Sequence, residues 1–114
     1  MYYVCKRIEV AMAHQLKLDY PSKCTRIHGH NAIITVYCKS ETLDANGMVV
    51  DFTHVKQTVS ELIDHQYVND RVDFNPTAEN LAKWICDHVD HCYKVTFQES
   101  ENNIAAYCRE EGAL

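Results

Sequence analysis

Glycine and proline are scarce here, three and two among 114 residues, and the chain has no internal repeat, linker or low-complexity segment. With 46% hydrophobic and 24% charged residues, that scarcity excludes a disordered chain and fits a folded one. Positive charge is short as well: 11 Lys and Arg face 16 Asp and Glu, a net of -5 with neutral histidine, and no basic run occurs. Nucleic acid and anionic membranes are therefore not expected as main partners. Residues 1–14 carry Lys6, Arg7 and Glu9 and lack a long apolar run, so they read as neither a signal peptide nor a membrane span. A cytoplasmic location is expected. From the length a single domain, residues 1–114, is expected rather than a two-domain enzyme. Without an export signal the six cysteines are expected to be reduced, most of them as small core side chains.

What is there begins with alternation. Tyr2, Val4, Ile8, Val10 and Met12 share one phase, and Cys5, Arg7 and Glu9 the other, as in a half-buried strand that ends at His14. Residues 30–42 form a second strand rich in β-branched and aromatic side chains. Asn46-Gly47 ahead of Met48-Val49-Val50-Asp51-Phe52 predicts a tight hairpin and a short strand. From Thr53 the period turns helical, with Val55, Val59, Leu62 and Ile63 on one stripe, ending near Asp64 and His65. Thr77 is placed to cap a second helix that buries Leu81, Trp84, Ile85 and Val89. Tyr93, Val95 and Phe97 alternate as a further strand, and 104–108 form the last. The expected fold is α+β, an antiparallel four-stranded sheet with two helices on one face. Its open face and edges predict an oligomer joined edge to edge.

Four constellations carry chemistry. His28 and His30 flank Gly29 at a spacing that points both imidazoles to one side of a strand, and His14 ends another strand. Three neutral imidazoles leave a position open on zinc, as a catalytic site requires; an i, i+2 histidine pair on a wet surface is the alternative. Cys24 precedes His28 by four residues, between Lys23 and Arg26, and either closes a metal site or serves beside it as a base; an inert half-buried thiol is the bland reading. Asp64-His65 falls at a helix end, where a carboxylate can fix an imidazole for proton transfer, or where both residues are simply solvated. Glu99 continues the Val95, Phe97 phase, which puts a carboxylate on the inward side of a strand end, where it needs a cation or the paired N–H donors of a heterocycle unless it is exposed. Cys86, His88, His91 and Cys92 also cluster, but at a spacing that matches no familiar ligand set.

Taken in order, Ala13-His14, Cys24 with His28-Gly29-His30, Gly47 with Asp51-Phe52, Asp64-His65 with Asn69, Asn75-Pro76-Thr77 with Glu79-Asn80, and Glu99 with Asn102, Asn103 and Tyr107 resemble the superfamily of 6-pyruvoyl-tetrahydropterin and 6-carboxytetrahydropterin synthases. The resemblance spans nearly the whole chain. It implies a tunnelling fold, with trimers closing a barrel from their sheets and two trimers stacking into a homohexamer with active sites at subunit interfaces. It also implies zinc on His14, His28 and His30, with Cys24 as catalytic base and Asp64 with His65 as proton relay. Glu99 would anchor the pterin ring, Thr77 would share that pocket, and Lys23 and Arg26 would meet the triphosphate of 7,8-dihydroneopterin triphosphate. Three residues between Cys24 and His28, together with Asp51-Phe52, resemble the branch that makes 6-carboxytetrahydropterin, a queuosine precursor. The pyruvoyl branch and a non-catalytic zinc module are the alternatives. Val10, Val68 and Ser100 stand where the family commonly has Phe, Leu and Thr, conservative changes that bear on pocket shape.

Overall fold

The computed structural model describes residues 1–109. Five strands, β1 (Tyr2–His14), β2 (His28–Ser40), β3 (Gln66–Tyr67), β4 (Cys92–Ser100) and β5 (Asn103–Cys108), form one sheet in the order β3-β1-β2-β4-β5. Two helices, α1 (Phe52–Ile63) and α2 (Ala78–His88), lie between β2 and β4 in the chain. β1 and β2 are long antiparallel partners in which Ile8 faces Ile34, Val10 faces Ala32 and His14 faces His28. That register puts the buried side chains of both strands on one face, the face on which α1 packs along β1 and α2 along β4 and β5. Val55, Val59 and Ile63 of α1 and Leu81, Ala82, Ile85 and Cys86 of α2 close the core over Ile34, Val36, Val95 and Phe97. The stripes read from the helical period are thus the buried stripes, although Leu62 and Trp84 sit at the margin of the core.

Side chains start both helices. Asp51 Oδ1 accepts the Thr53 N–H at 2.8 Å and Thr77 Oγ1 accepts that of Asn80 at 3.2 Å, each satisfying a donor that has no partner inside its helix. The opposite face of the sheet carries an aromatic and cationic layer in the chain's own frame. Tyr3 and Tyr93 meet edge to face with centroids 6.1 Å apart, and the Lys94 ammonium stands 4.8 Å above the Tyr37 ring.

Two features differ from the sequence expectation. The sheet has a fifth strand, and it is mixed, because Gln66–Tyr67 pairs in parallel with Met12 and Ala13. Two residues are too few to display alternation. The hairpin expected at Asn46-Gly47 is a turn without a following strand. Gly47 does take the left-handed conformation, φ 79°, but the Asp44 carboxylate binds the N–H groups of Asn46 at 2.8 Å and Met48 at 3.0 Å. The turn therefore closes on itself, Val49 drops into the core with 7% exposure, and Asp51 turns the chain into α1.

Candidate active site

His14 ends β1 and His28 begins β2, so the register that buries the core also sets these two residues opposite one another, with His30 two places along the same face. The three rings meet edge to face, with centroids 4.5 to 5.0 Å apart. One ligand nitrogen from each falls within 4.8 Å of the others, the one such group of three histidine, cysteine or acidic side chains among the described residues. Hydrogen bonds to backbone carbonyls fix which nitrogen is free. His14 Nδ1 donates to Pro76 O at 2.8 Å and His28 Nδ1 donates to Arg26 O at 2.8 Å. In both rings this leaves Nε2 with its lone pair exposed to the centre of the group.

His14 is fully buried. Burial is the main influence lowering its pKa, followed by the opposing pull of the Pro76 hydrogen bond and Glu99. Burial also lowers that of His30, against the Glu99 charge. Both effects favour neutral imidazole, the form that binds metal. His14 Nε2 and His30 Nε2 lie 3.1 Å apart, close to the roughly 3.3 Å expected of two nitrogens on a tetrahedral ion held at about 2.0–2.1 Å. The donor set, tautomers and spacing therefore fit a divalent metal with a coordination position left over.

Glu99 completes the centre. Its Oε1 is 3.6 Å from His14 Nε2, and the same residue lines a cavity of about 390 Å³ together with Glu79, Asn102, Asn103 and Ala105. The cavity lies between the start of α2 and the β4–β5 turn. A carboxylate at the seam between a metal-binding group and a pocket can take the N–H donors of a bound ring while the rest of that molecule reaches the histidines.

Cys24 lies in a single 3₁₀ turn, Lys23–Thr25, and is half-buried. It is not a member of the histidine group. Lys23 and Arg26 are exposed on the same turn, and Arg26 contributes through its carbonyl, which orients His28. Thr77 is committed to capping α2, and its neighbour Ala78 rather than Thr77 itself lines the cavity.

Asp64 and His65 sit at the sheet edge made by β3. Asp64 Oδ1 accepts the Ala11 N–H at 3.0 Å and lies 3.8 Å from His65 Nε2. His65 has φ 58°, a left-handed conformation that costs a non-glycine residue about 1–2 kcal/mol. It is held there by a 2.7 Å hydrogen bond from its N–H to Ala11 O. Its side chain is 82% exposed and is not part of the histidine group.

The other sequence cluster does not assemble. Cys86 and Cys92 are buried with Cys38, hydrogen bonding with Cys38 pushes the Cys92 thiol up to about 11, and His88 is tied to Trp84 O at 2.7 Å. What sequence reasoning missed is mostly backbone: the carbonyls of Pro76 and Arg26 and both peptide groups of Ala11. Only the Asn75-Pro76-Thr77 punctuation hinted at one of them. Asn69 and Asn75 also act on backbone, each clamping the chain beyond His14 through paired bonds of 2.8–2.9 Å to Gln15 and Lys17.

Three converging imidazoles and a carboxylate beside a polar cavity, on an α+β sheet, are a donor set compatible with a metal-binding enzyme of small molecules. The chain belongs to the 6-pyruvoyl tetrahydropterin synthase family, whose model matches residues 3–110. It is 30% identical to a 6-carboxy-5,6,7,8-tetrahydropterin synthase of Bacillus subtilis over 126 aligned positions, covering 96% of this chain and 86% of that protein. It is also 30% identical to the 6-pyruvoyl tetrahydrobiopterin synthase of Homo sapiens over 129 positions, covering 91% of this chain and 89% of that one. Among solved structures, the Caenorhabditis elegans 6-pyruvoyl tetrahydropterin synthase superposes with a TM-score of 0.74 at 26% identity, over 94% of both chains. The relatives are tetrahydropterin synthases, and the five-stranded mixed sheet with two helices is their tunnelling fold.

Proposed function

We propose that this chain is a zinc-dependent 6-carboxytetrahydropterin synthase. With one water it converts 7,8-dihydroneopterin triphosphate to 6-carboxy-5,6,7,8-tetrahydropterin, with release of acetaldehyde and triphosphate, and so supplies a queuosine precursor in the cytoplasm. The observation that carries this reading is the position of Glu99, 3.6 Å from His14 Nε2 on one side and on the wall of the 390 Å³ cavity on the other. A pterin whose amino-amide edge pairs with Glu99 would extend its side chain toward the three histidines.

His14, His28 and His30 would hold the zinc, which when bound supplies Lewis acidity to the side-chain hydroxyls. The protein's own part is proton transfer. Cys24, outside the ligand group, acts as base on one side of the reacting carbon, and His65, oriented by Asp64, acts on the other. The exposure of His65 at the β3 edge supports a relay that serves the centre of a neighbouring copy, within a homohexamer built as a dimer of trimers. Lys23 and Arg26, exposed beside Cys24, are assigned to the triphosphate, and Thr77 to the ring pocket through the chain it caps.

The pyruvoyl synthase is the second reading, favoured by the equal identity to the human relative. Curated relatives named for the carboxy product, at 30–42% identity, and the Cys24–His28 gap support the first. Incubating the zinc-loaded protein anaerobically with 7,8-dihydroneopterin triphosphate, with mass spectrometry of products, tests both. Carboxytetrahydropterin with acetaldehyde is expected. A pyruvoyl product without acetaldehyde moves the chain to the sister branch, and unchanged substrate overturns the catalytic reading.

A further inference from the structure

The turn that carries Cys24 is three residues long, and an isolated 3₁₀ turn of that size has no stability of its own. Its position must come from outside. Inside the turn, Ser22 caps the Cys24 N–H at 3.2 Å and accepts from Thr25 Oγ1 at 2.7 Å, which fixes its shape and not its place. Among the described residues, two hydrogen bonds tie it to the residues just beyond His14, while on its other side the Arg26 carbonyl accepts from His28 Nδ1. The Leu16 N–H donates to Cys24 O at 3.0 Å, and Gln15 Nε2 donates to Thr25 O at 2.8 Å.

The Gln15 amide cannot turn over. Thr25 O is a carbonyl and can only accept, so Nε2 must face it, and Oε1 is taken by the Tyr67 hydroxyl at 3.1 Å. The backbone of Gln15 is clamped by Asn69, with both bonds at 2.8 Å. One side chain thus joins the Cys24 turn to β3, two residues past His65, from a backbone position adjacent to His14.

We propose that Gln15 is a positioning residue: its amide locks the Cys24 turn at a fixed distance from the histidine centre, with Tyr67 holding the amide in register. This deepens the reading of Cys24 as the base and rests on it. Gln15→Met keeps the length of the side chain and removes both hydrogen bonds. Of its two bonds to the residues beyond His14 the turn then keeps only that from Leu16, and a misplacement on the order of 1 Å at a reacting group costs about 100-fold.

The test compares wild type, Gln15→Met and Tyr67→Phe, each zinc-loaded, by four measurements: kcat and KM, zinc content, melting temperature, and the rate at which iodoacetamide alkylates Cys24, followed by peptide mass mapping. For Gln15→Met, kcat is expected to fall about 10- to 100-fold while KM and zinc content hold, and Cys24 alkylation rises several-fold. Tyr67→Phe, which keeps the bond to Thr25, is expected to show the same pattern more weakly; it also decides the case if Gln15→Met fails to fold. Unchanged kcat and alkylation overturn the proposal. So does a kcat loss that tracks zinc loss, or a lower melting temperature with kcat per folded enzyme intact. If wild type turns over no pterin while alkylation still rises in Gln15→Met, the tether stands and the assignment of Cys24 as base fails instead.

Discussion

Replacing Cys24 by alanine separates a base from a ligand. The hydrogen bonds that place this residue are made by its backbone, from its N–H to Ser22 Oγ and from Leu16 N–H to its carbonyl, and alanine keeps both. Only a half-buried sulfur is lost, a change within about 1 kcal/mol and so about 4 °C in melting temperature for a chain of this size. The three imidazoles retain their spacing and their carbonyl partners, so zinc content stays at the wild-type level. Loss of a general base removes about 10²–10⁴ in rate, which at about 1.4 kcal/mol per tenfold corresponds to roughly 3–5 kcal/mol of transition-state stabilisation. Product formation by mass spectrometry, bound metal by elemental analysis and a thermal melt on the same preparation give all three quantities. Zinc lost together with a fall in melting temperature well beyond 4 °C would refute the reasoning, because Cys24 would then be a fourth ligand of a structural site.

His14 and His28, two of the three histidines on β1 and β2, are expected to differ in kind. His28→Ala abolishes metal binding with little change in the melting of the metal-free protein, whereas His14→Ala also leaves Pro76 O unpaired in a buried site and lowers that melt, by about 1–3 kcal/mol in a denaturant titration; equal metal-free stabilities would contradict the burial argument. Thr77→Ala removes the α2 cap and is expected to lower stability by about 1 kcal/mol, read as a shift of the urea midpoint at unchanged slope. Lys83 and Arg109 hold the Asp87 carboxyl below the usual carboxylate range, the Lys83 hydrogen bond first. A carboxyl depressed in the folded state contributes stability above its unfolded value, near pH 4, and loses it as pH falls through the folded one. Asp87→Asn should therefore flatten the acid limb of the stability profile by less than about 1 kcal/mol, given the exposure of the group, and an identical acid limb would count against the network.

Much of this was legible because hydrophobic period and chemistry coincide. The Ile8, Val10, Met12 phase runs straight into His14, and the Val95, Phe97 phase into Glu99, so the face that builds the core also delivers the histidine and the carboxylate. Helical stripes and side-chain caps were legible for the same local reason. What escaped is set by groups every residue shares, or by contacts distant in sequence. The carbonyl of Pro76 orients His14 from 62 residues away, and Gln15 meets Tyr67 across 52. The missing strand after Gly47 has a different cause: Asp44 supplies the acceptors that a strand partner would otherwise provide.

The β1–β2 ladder also sets what kinds of inherited change the chain can absorb. Because His14 faces His28 across an unbroken run of paired residues from Tyr2 to His14, inserting or deleting one codon within that run shifts the partners on one side of the change by one place and turns those side chains to the other face. A change between the core residues and His14 that the ladder does not absorb as a bulge would disturb the core and the imidazole group together. The connection 15–27 lies outside the ladder, and length differences between descendants are expected to accumulate there, as far as the chain that carries Cys24 can still reach home.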